Sequence, residues 1–150
     1  MYQSQIIVSI AAKLRHAEMF KKLRENHPDI HFISRWIVTT EKGSEEQKPV
    51  YEWMREAEIE IANSHCMLVW AERGEILKNA LIQVGMAIAM RIPVIVVGEN
   101  ASYAEWQFWQ PYVSRSSNLN QAIKDIKIRF RGKQPTIGRG NIPILGARND

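Results

Sequence analysis

Glu75, Asn79 and Gln83 recur at intervals of four residues, with Glu72 just upstream. On a helix that spacing puts side chains on one face, so a helix over about 75–90 would present one carboxylate and two carboxamides together. A carboxylate on such a face is a candidate general acid, base or nucleophile. Glu75 in a first helical turn equally suits pairing with the helix dipole, and Gln83 an ordinary polar place on a buried helix. Cations and aromatics follow the apolar runs. Ser9, Lys13 and Arg15 lie at the end of the first run, where backbone N–H groups and a cation can receive a hydroxyl or a phosphate. Arg35 and Trp36 end the second run and offer a cation and a stacking face; Trp70 ends the third. Core packing is the other reading of Trp36 and Trp70. Trp106, Phe108 and Trp109 read as a lid or as dimer contacts.

Several chemistries have no support in the sequence. Neither GxGxxG nor GxxxxGK[ST] occurs, and no GxSxG elbow is present. His16, His27, His31 and His65 lack the i,i+4 spacing of a zinc helix and the carboxylates form no cation loop, so neither a metal nor a cofactor is expected. The single cysteine, Cys66, excludes an intrachain disulfide, and its apolar run marks it as a small buried hydrophobe.

These residues must be held by elements, and the periodicity alternates between strand and helix. Residues 5–10 form a β-branched run, followed by Leu14, Ala17, Phe20 and Leu23 at helical spacing up to His27-Pro28. A second strand is predicted over 31–37, then a polar loop from Thr39 to Lys48 and a helix opened by Pro49. Cys66 to Trp70 is apolar on both faces, as a central parallel strand requires. After the 75–90 helix come a fourth strand over 92–98, a short fifth strand, and a last helix with Leu119, Ala122, Ile123, Ile126 and Phe130 inward. Repeated β–α alternation implies right-handed crossovers: a three-layer α/β sandwich, a flavodoxin-like parallel sheet of four to five strands with helices on both faces. Ligands then bind at the carboxyl ends of the strands, where strand order reverses.

Size and charge narrow the function classes. One hundred and fifty residues, 45% apolar and 24% charged, suit one globular domain. The apolar runs are too short or too broken to cross a membrane, and MYQSQIIVSI lacks an export pattern, so a cytoplasmic location is expected. The net charge of +4 suggests nucleic acid until it is mapped: residues 124–150 hold seven basic and two acidic side chains, leaving the rest at −1. Nucleic acid is therefore not the expected partner. The domain is read as residues 1–130, and 131–150 as a basic Gly/Pro-containing tail. That tail reads as a disordered end or as an arm docking on a partner subunit, and Ile137, Ile142, Ile144 and Leu145 favour ordering of at least part of it.

The stretch from Asn63 to Gly98, with Gln83-Val84-Gly85-Met86-Ala87 followed by Arg91-Ile92-Pro93-Val94, resembles the nucleoside 2-deoxyribosyltransferase family, including its 2′-deoxynucleoside 5′-phosphate N-hydrolase-like members. That family's pattern is a strand ending in a site loop, a helix with Glu-x-Gly-x-Ala, and a Gly-Lys-Pro-Val-type lead into the next strand. Ile6-Ile7-Val8, Leu14 to Glu18 and Ser34-Arg35-Trp36 extend the likeness, which covers about residues 5–130. It implies cleavage or transfer at the N-glycosidic bond of a 2′-deoxynucleoside or its 5′-monophosphate, in a homodimer or higher homo-oligomer. In the family a Glu attacks C1′, which turns oxocarbenium-like as the base leaves. The matching position here is Gln83, and His65 stands where the family tends to place an Asp. A carboxylate about 3 Å from a unit positive charge is worth roughly 5 kcal/mol at an effective dielectric of about 20, so an amide there costs several powers of ten in rate. Three readings are open: an inactivating substitution, a divergent enzyme using Glu75 or Glu72 instead, or a non-catalytic nucleotide-binding or sensing module. His65 also reads as a core histidine bonded to backbone.

Overall fold

Five short aliphatic runs pair into one parallel sheet, β1 (Ile6–Ala11), β2 (Ile30–Phe32), β3 (Cys66–Trp70), β4 (Val94–Val97) and β5 (Val113–Ser116), in the order β2-β1-β3-β4-β5. The structure is a computed structural model and describes residues 5–39, 50–104 and 106–137. Registers such as Ile7 opposite His31, Ile10 opposite Leu68 and Val69 opposite Val96 fix the strands. Both faces of the central strands are buried, so alternate side chains feed two cores. Val8, Ile10, Leu68 and Val97 meet α1 (Ala17–Asn26) and α5 (Leu119–Phe130) through Phe20, Ile123 and Ile126. Ala11, Met67, Val69 and Val96 meet α3 (Val50–Ala62) and α4 (Asn79–Ala89) through Ile61, Val84 and Ala87. This is the expected three-layer flavodoxin-like α/β fold. Among the described residues, no helix is long and apolar enough to cross a membrane.

Two elements differ from the sequence reading. The second strand ends at Phe32 and not near Ile37, because the Ser34 hydroxyl accepts the Ile10 N–H at 2.8 Å in place of a ladder bond. Ser34 O then accepts the Ile37 N–H, and a single helical turn, α2 (Trp36–Thr39), begins. Helix α4 begins at Asn79 and not at Glu75. The Glu75 carbonyl, which would accept the Asn79 N–H in a longer helix, accepts Asn100 Nδ2 at 2.9 Å, and a tight turn joins Glu75 N–H to Glu72 O. Glu75 is therefore a loop residue, and Glu75, Asn79 and Gln83 do not share a helical face.

The polar loop expected from Thr39 to Lys48 lies, beyond Thr39, outside the described residues, as do residues 138–150. The first part of the basic tail packs back on the domain. Pro135 is buried and Ile137 rests against the α3/α4 core.

Candidate functional site

In the observed strand order, β1 and β3 are neighbours whose connections leave to opposite sides, which makes their carboxyl ends the switch point of the sheet. The loop after β1 carries Lys13, Arg15 and His16; the loop after β3 carries Glu72 and Glu75. Lys13, Arg15, Glu72, Gly74, Glu75, Ile76 and Lys78 line an open cleft of about 620 Å³ there.

Glu75 is the hub of the cluster, with its side chain only 4% exposed. Oε1 accepts the Glu72 backbone N–H at 2.8 Å. Oε2 accepts Arg15 Nε at 2.7 Å and His16 Nε2 at 2.8 Å, and Arg15 Nη2 lies 2.6 Å away. A carboxylate acceptor fixes the hydrogen of His16 on Nε2. Burial pushes the Glu75 carboxyl up, but the Glu72 N–H, His16 and Arg15 together outweigh it and hold its pKa below the ordinary carboxylate value. Arg15 is held in its charged form by the hydrogen bond to Glu75, against some loss of solvation. Its Nη2 also donates to the more exposed Glu72 at 2.9 Å.

Neighbouring elements brace this cluster. Trp70 packs edge-on against the His16 ring, with centroids 4.5 Å apart at 87°, and against Phe20. Asn100, just past β4, donates its amide hydrogens to Glu72 O at 2.6 Å and Glu75 O at 2.9 Å, while its Oδ1 accepts the Ser102 N–H. Gly98, at φ +78°, makes the turn that brings the chain there. Tyr103 anchors the same stretch by donating to Val97 O at 2.9 Å.

His16, Glu72 and Glu75 present one nitrogen and two carboxylate oxygens within 4.8 Å of one another. The Arg15 guanidinium already provides the positive charge between the two carboxylates, so a metal ion would have to displace it.

Of the residues singled out in the sequence, Lys13, Arg15, Glu72 and Glu75 come together in the cleft, and Trp70 supports them from behind. The others lie elsewhere. Asn79 is exposed at the start of α4, and Gln83, half-buried one turn on, is not part of the cleft lining. Trp36 is a core residue: it is 9% exposed, donates Nε1–H to Ile10 O at 3.1 Å and packs edge-on against Phe20. It offers no stacking face for a base. Arg35 pairs with Glu56 at 3.2 Å and gives its backbone N–H to Glu60. Burial is the main cause that pushes the Glu60 carboxyl up to about 7, with the Arg35 N–H opposing and Glu56 adding to the rise.

Ser9 lies within β1, buried among apolar neighbours, and its Oγ has no hydrogen-bond partner among the described residues. His65 sits at the amino edge of the sheet, at the opposite end from the cleft. Its Nδ1 accepts the Ile7 N–H at 2.9 Å and its Nε2 meets Lys133 O at 2.7 Å, so backbone groups occupy both ring nitrogens. Phe108 is core and Trp109 is 68% exposed beneath the Arg115 guanidinium.

Sequence reasoning missed His16 and Asn100 as site residues. His16 had a signal, its position beside Arg15 in the first βα loop. Asn100 had none, because its part depends on where the β4 loop folds in space. No protein-family model, curated protein or solved structure matches the chain.

Proposed function

We propose that the switch-point cleft binds a 2′-deoxynucleoside or its 5′-monophosphate and that the chain works at the N-glycosidic bond of that ligand. The observation that carries this reading is the pairing of cations with carboxylates across the β1 and β3 loops. Lys13, Arg15 and Lys78 lie along the lining beside Glu72 and Glu75. The N-terminus of α4 opens beside Lys78, whose side chain makes no capping bond, so its first N–H groups add to the attraction for a phosphate. Glu72, exposed at the rim, is the carboxylate best able to face a developing positive charge at C1′. The motif likeness over residues 63–98 supports the choice of bond, and the cations along the cleft support a ligand that carries a phosphate.

A second reading, a non-catalytic nucleotide-binding or sensing module, is favoured by one observation. Both oxygens of the buried Glu75 carboxylate are engaged, Oε2 by Arg15 and His16 and Oε1 by the Glu72 N–H, so it is tied into the cluster and not turned to the cleft as a nucleophile, and Gln83, where the resemblance expects a Glu, is an amide outside the cleft lining. Calorimetric titration with deoxynucleosides and their monophosphates, run beside chromatographic detection of released base, separates the two. Release by the chain as it stands, lost in Glu72→Gln, supports the enzyme using Glu72. Release only by Gln83→Glu supports a silenced enzyme, and binding without release in either supports the module. Neither binding nor release with any of these ligands overturns both readings.

A further inference from the structure

His16 has two ring nitrogens, and the ion cluster uses one of them. Its Nε2–H is given to Glu75 Oε2 at 2.8 Å, between side chains that are 9% and 4% exposed. Its Nδ1 has no hydrogen-bond partner among the described residues. Among those residues Ser9 Oγ is the only fully enclosed side-chain polar atom in that condition, so His16 Nδ1 reaches solvent. Because the carboxylate fixes the hydrogen on Nε2, the neutral ring carries its free lone pair on Nδ1. Trp70, edge-on with centroids 4.5 Å apart, and the bond to Glu75 hold the ring from two sides, which gives that lone pair a set direction.

A buried carboxylate on one imidazole nitrogen, with the other nitrogen open, is the arrangement of a general base. The carboxylate fixes the tautomer and stabilises the imidazolium once a proton arrives. Glu75 suits this part, because its carboxyl lies below its ordinary value and is ionised at neutral pH. The other charged groups of the cluster are Arg15, on the same Glu75 oxygen, and Glu72, which Arg15 also holds. Neither makes a hydrogen bond to the His16 ring. Arg15, next to His16 in the chain, and Glu75 both line the cleft, so the ring stands at its wall.

We propose that His16 is the general base of the cleft and that the proton it takes comes from an attacking water. The inference rests on the reading of the cleft as a site of N-glycosidic cleavage, and adds that the bond is hydrolysed with no covalent link to the protein. His16 Nδ1 accepts one proton of the water as the water oxygen bonds to C1′. The C1′–N bond breaks, its electron pair passes to the departing base, and the imidazolium returns the proton to that base through solvent. Nucleoside and water thus become deoxyribose, or its phosphate, and free base. Glu75 orients the imidazole and does not meet the sugar, while Glu72 faces the charge at C1′. A nucleophile drawn from solvent fits a cleft whose buried carboxylate is already engaged and whose lining lacks Gln83. Water arriving opposite the base inverts the configuration at C1′.

The test compares the full chain with His16→Gln, whose amide nitrogen can still donate to Glu75 but which has no nitrogen able to accept a proton. Base release from the common 2′-deoxynucleoside 5′-monophosphates is followed by chromatography from about pH 5 to pH 9, the range that spans the charge change of an ordinary imidazole. The variant should lose about 10²–10⁴-fold in kcat with KM little changed, and with it the limb of the pH profile that rises as a base loses its proton. In methanol–water the full chain should yield a methyl deoxyriboside of inverted configuration. A retained configuration, or the original rate and pH profile in His16→Gln, overturns His16 as the base and leaves glycosidic cleavage standing; no release by the full chain overturns both. Labelling of the full chain with diethyl pyrocarbonate decides the matter even where the variant fails to fold. Acylation is expected at His16, slowed by bound monophosphate, and not at His65, whose nitrogens are both engaged. A His16 as inert as His65, or labelled at a rate that monophosphate leaves unchanged, overturns the proposal.

Discussion

Replacing Glu75 by Gln tests how the cluster holds together, because the change keeps shape and removes charge. The carboxylate accepts from Glu72 N–H, Arg15 and His16 at 2.7–2.8 Å. An amide oxygen can replace either carboxylate oxygen, but its NH₂ then points donor to donor at Arg15 and His16 or at the Glu72 N–H. Losing the charge-assisted bonds in a site only 4% exposed should cost about 2–4 kcal/mol at pH 7. The pH dependence gives the sharper check. The Glu75 pKa lies below its ordinary value, so the unfolded chain binds this proton more readily. The stabilisation is therefore present at neutral pH and disappears as pH falls through the folded-state value. Urea unfolding of both chains at pH 7 and near pH 3 should show a large gap that narrows on acidification. A gap of the same size at both pH values, or none at pH 7, would refute the account of Glu75 as an ionised hub.

Other perturbations separate support from function. His65→Ala leaves the buried Ile7 N–H without its acceptor and should cost about 2–4 kcal/mol of stability, with ligand affinity at the cleft unchanged; lost binding in a stably folded variant would contradict its placement at the far edge. Glu60→Gln should have the opposite sign. With its carboxyl pushed up from 4.5 to about 7, native Glu60 holds its proton more tightly than the unfolded chain does, so stability declines as pH rises across that interval. The variant should gain up to about 3 kcal/mol at pH 8 and almost nothing at pH 4; a pH-independent difference in denaturant midpoint would sink this reading.

The layers were legible because burial imposes a period on the sequence. Cys66–Trp70 is a strand as expected, and the last helix buries Ala122, Ile123 and Ile126 as its spacing required. What periodicity could not show were the places where a side chain takes over a backbone bond. The Ser34 hydroxyl shortens β2, and Asn100 stops α4 short of Glu75; each acts across more than twenty residues of sequence. Half of the site was legible for a related reason. The rule that ligands sit at the carboxyl ends of parallel strands pointed to the loops that carry Lys13, Arg15, Glu72 and Glu75, whereas the helical spacing that also singled out Glu75 is not kept, because α4 begins at Asn79. It misplaced Trp36 because an aromatic at a strand end and an aromatic in the core have the same sequence signature, and only the bond to Ile10 O distinguishes them.

The sheet order also bears on how the chain emerges during synthesis. β1 and β2 leave the ribosome first and can pair at once, but the other edge of β1 stays open until β3 arrives some sixty residues after it. Until then the ladder groups of Val8 to Ala11 on that side have no strand to meet, and Arg15 and His16 have no Glu75. The open edge is a ready template for pairing with a neighbouring chain. Closure of the ion cluster is therefore tied to the event that ends this vulnerable interval, and substitutions that slow β3 docking should lower soluble yield before they alter the finished protein.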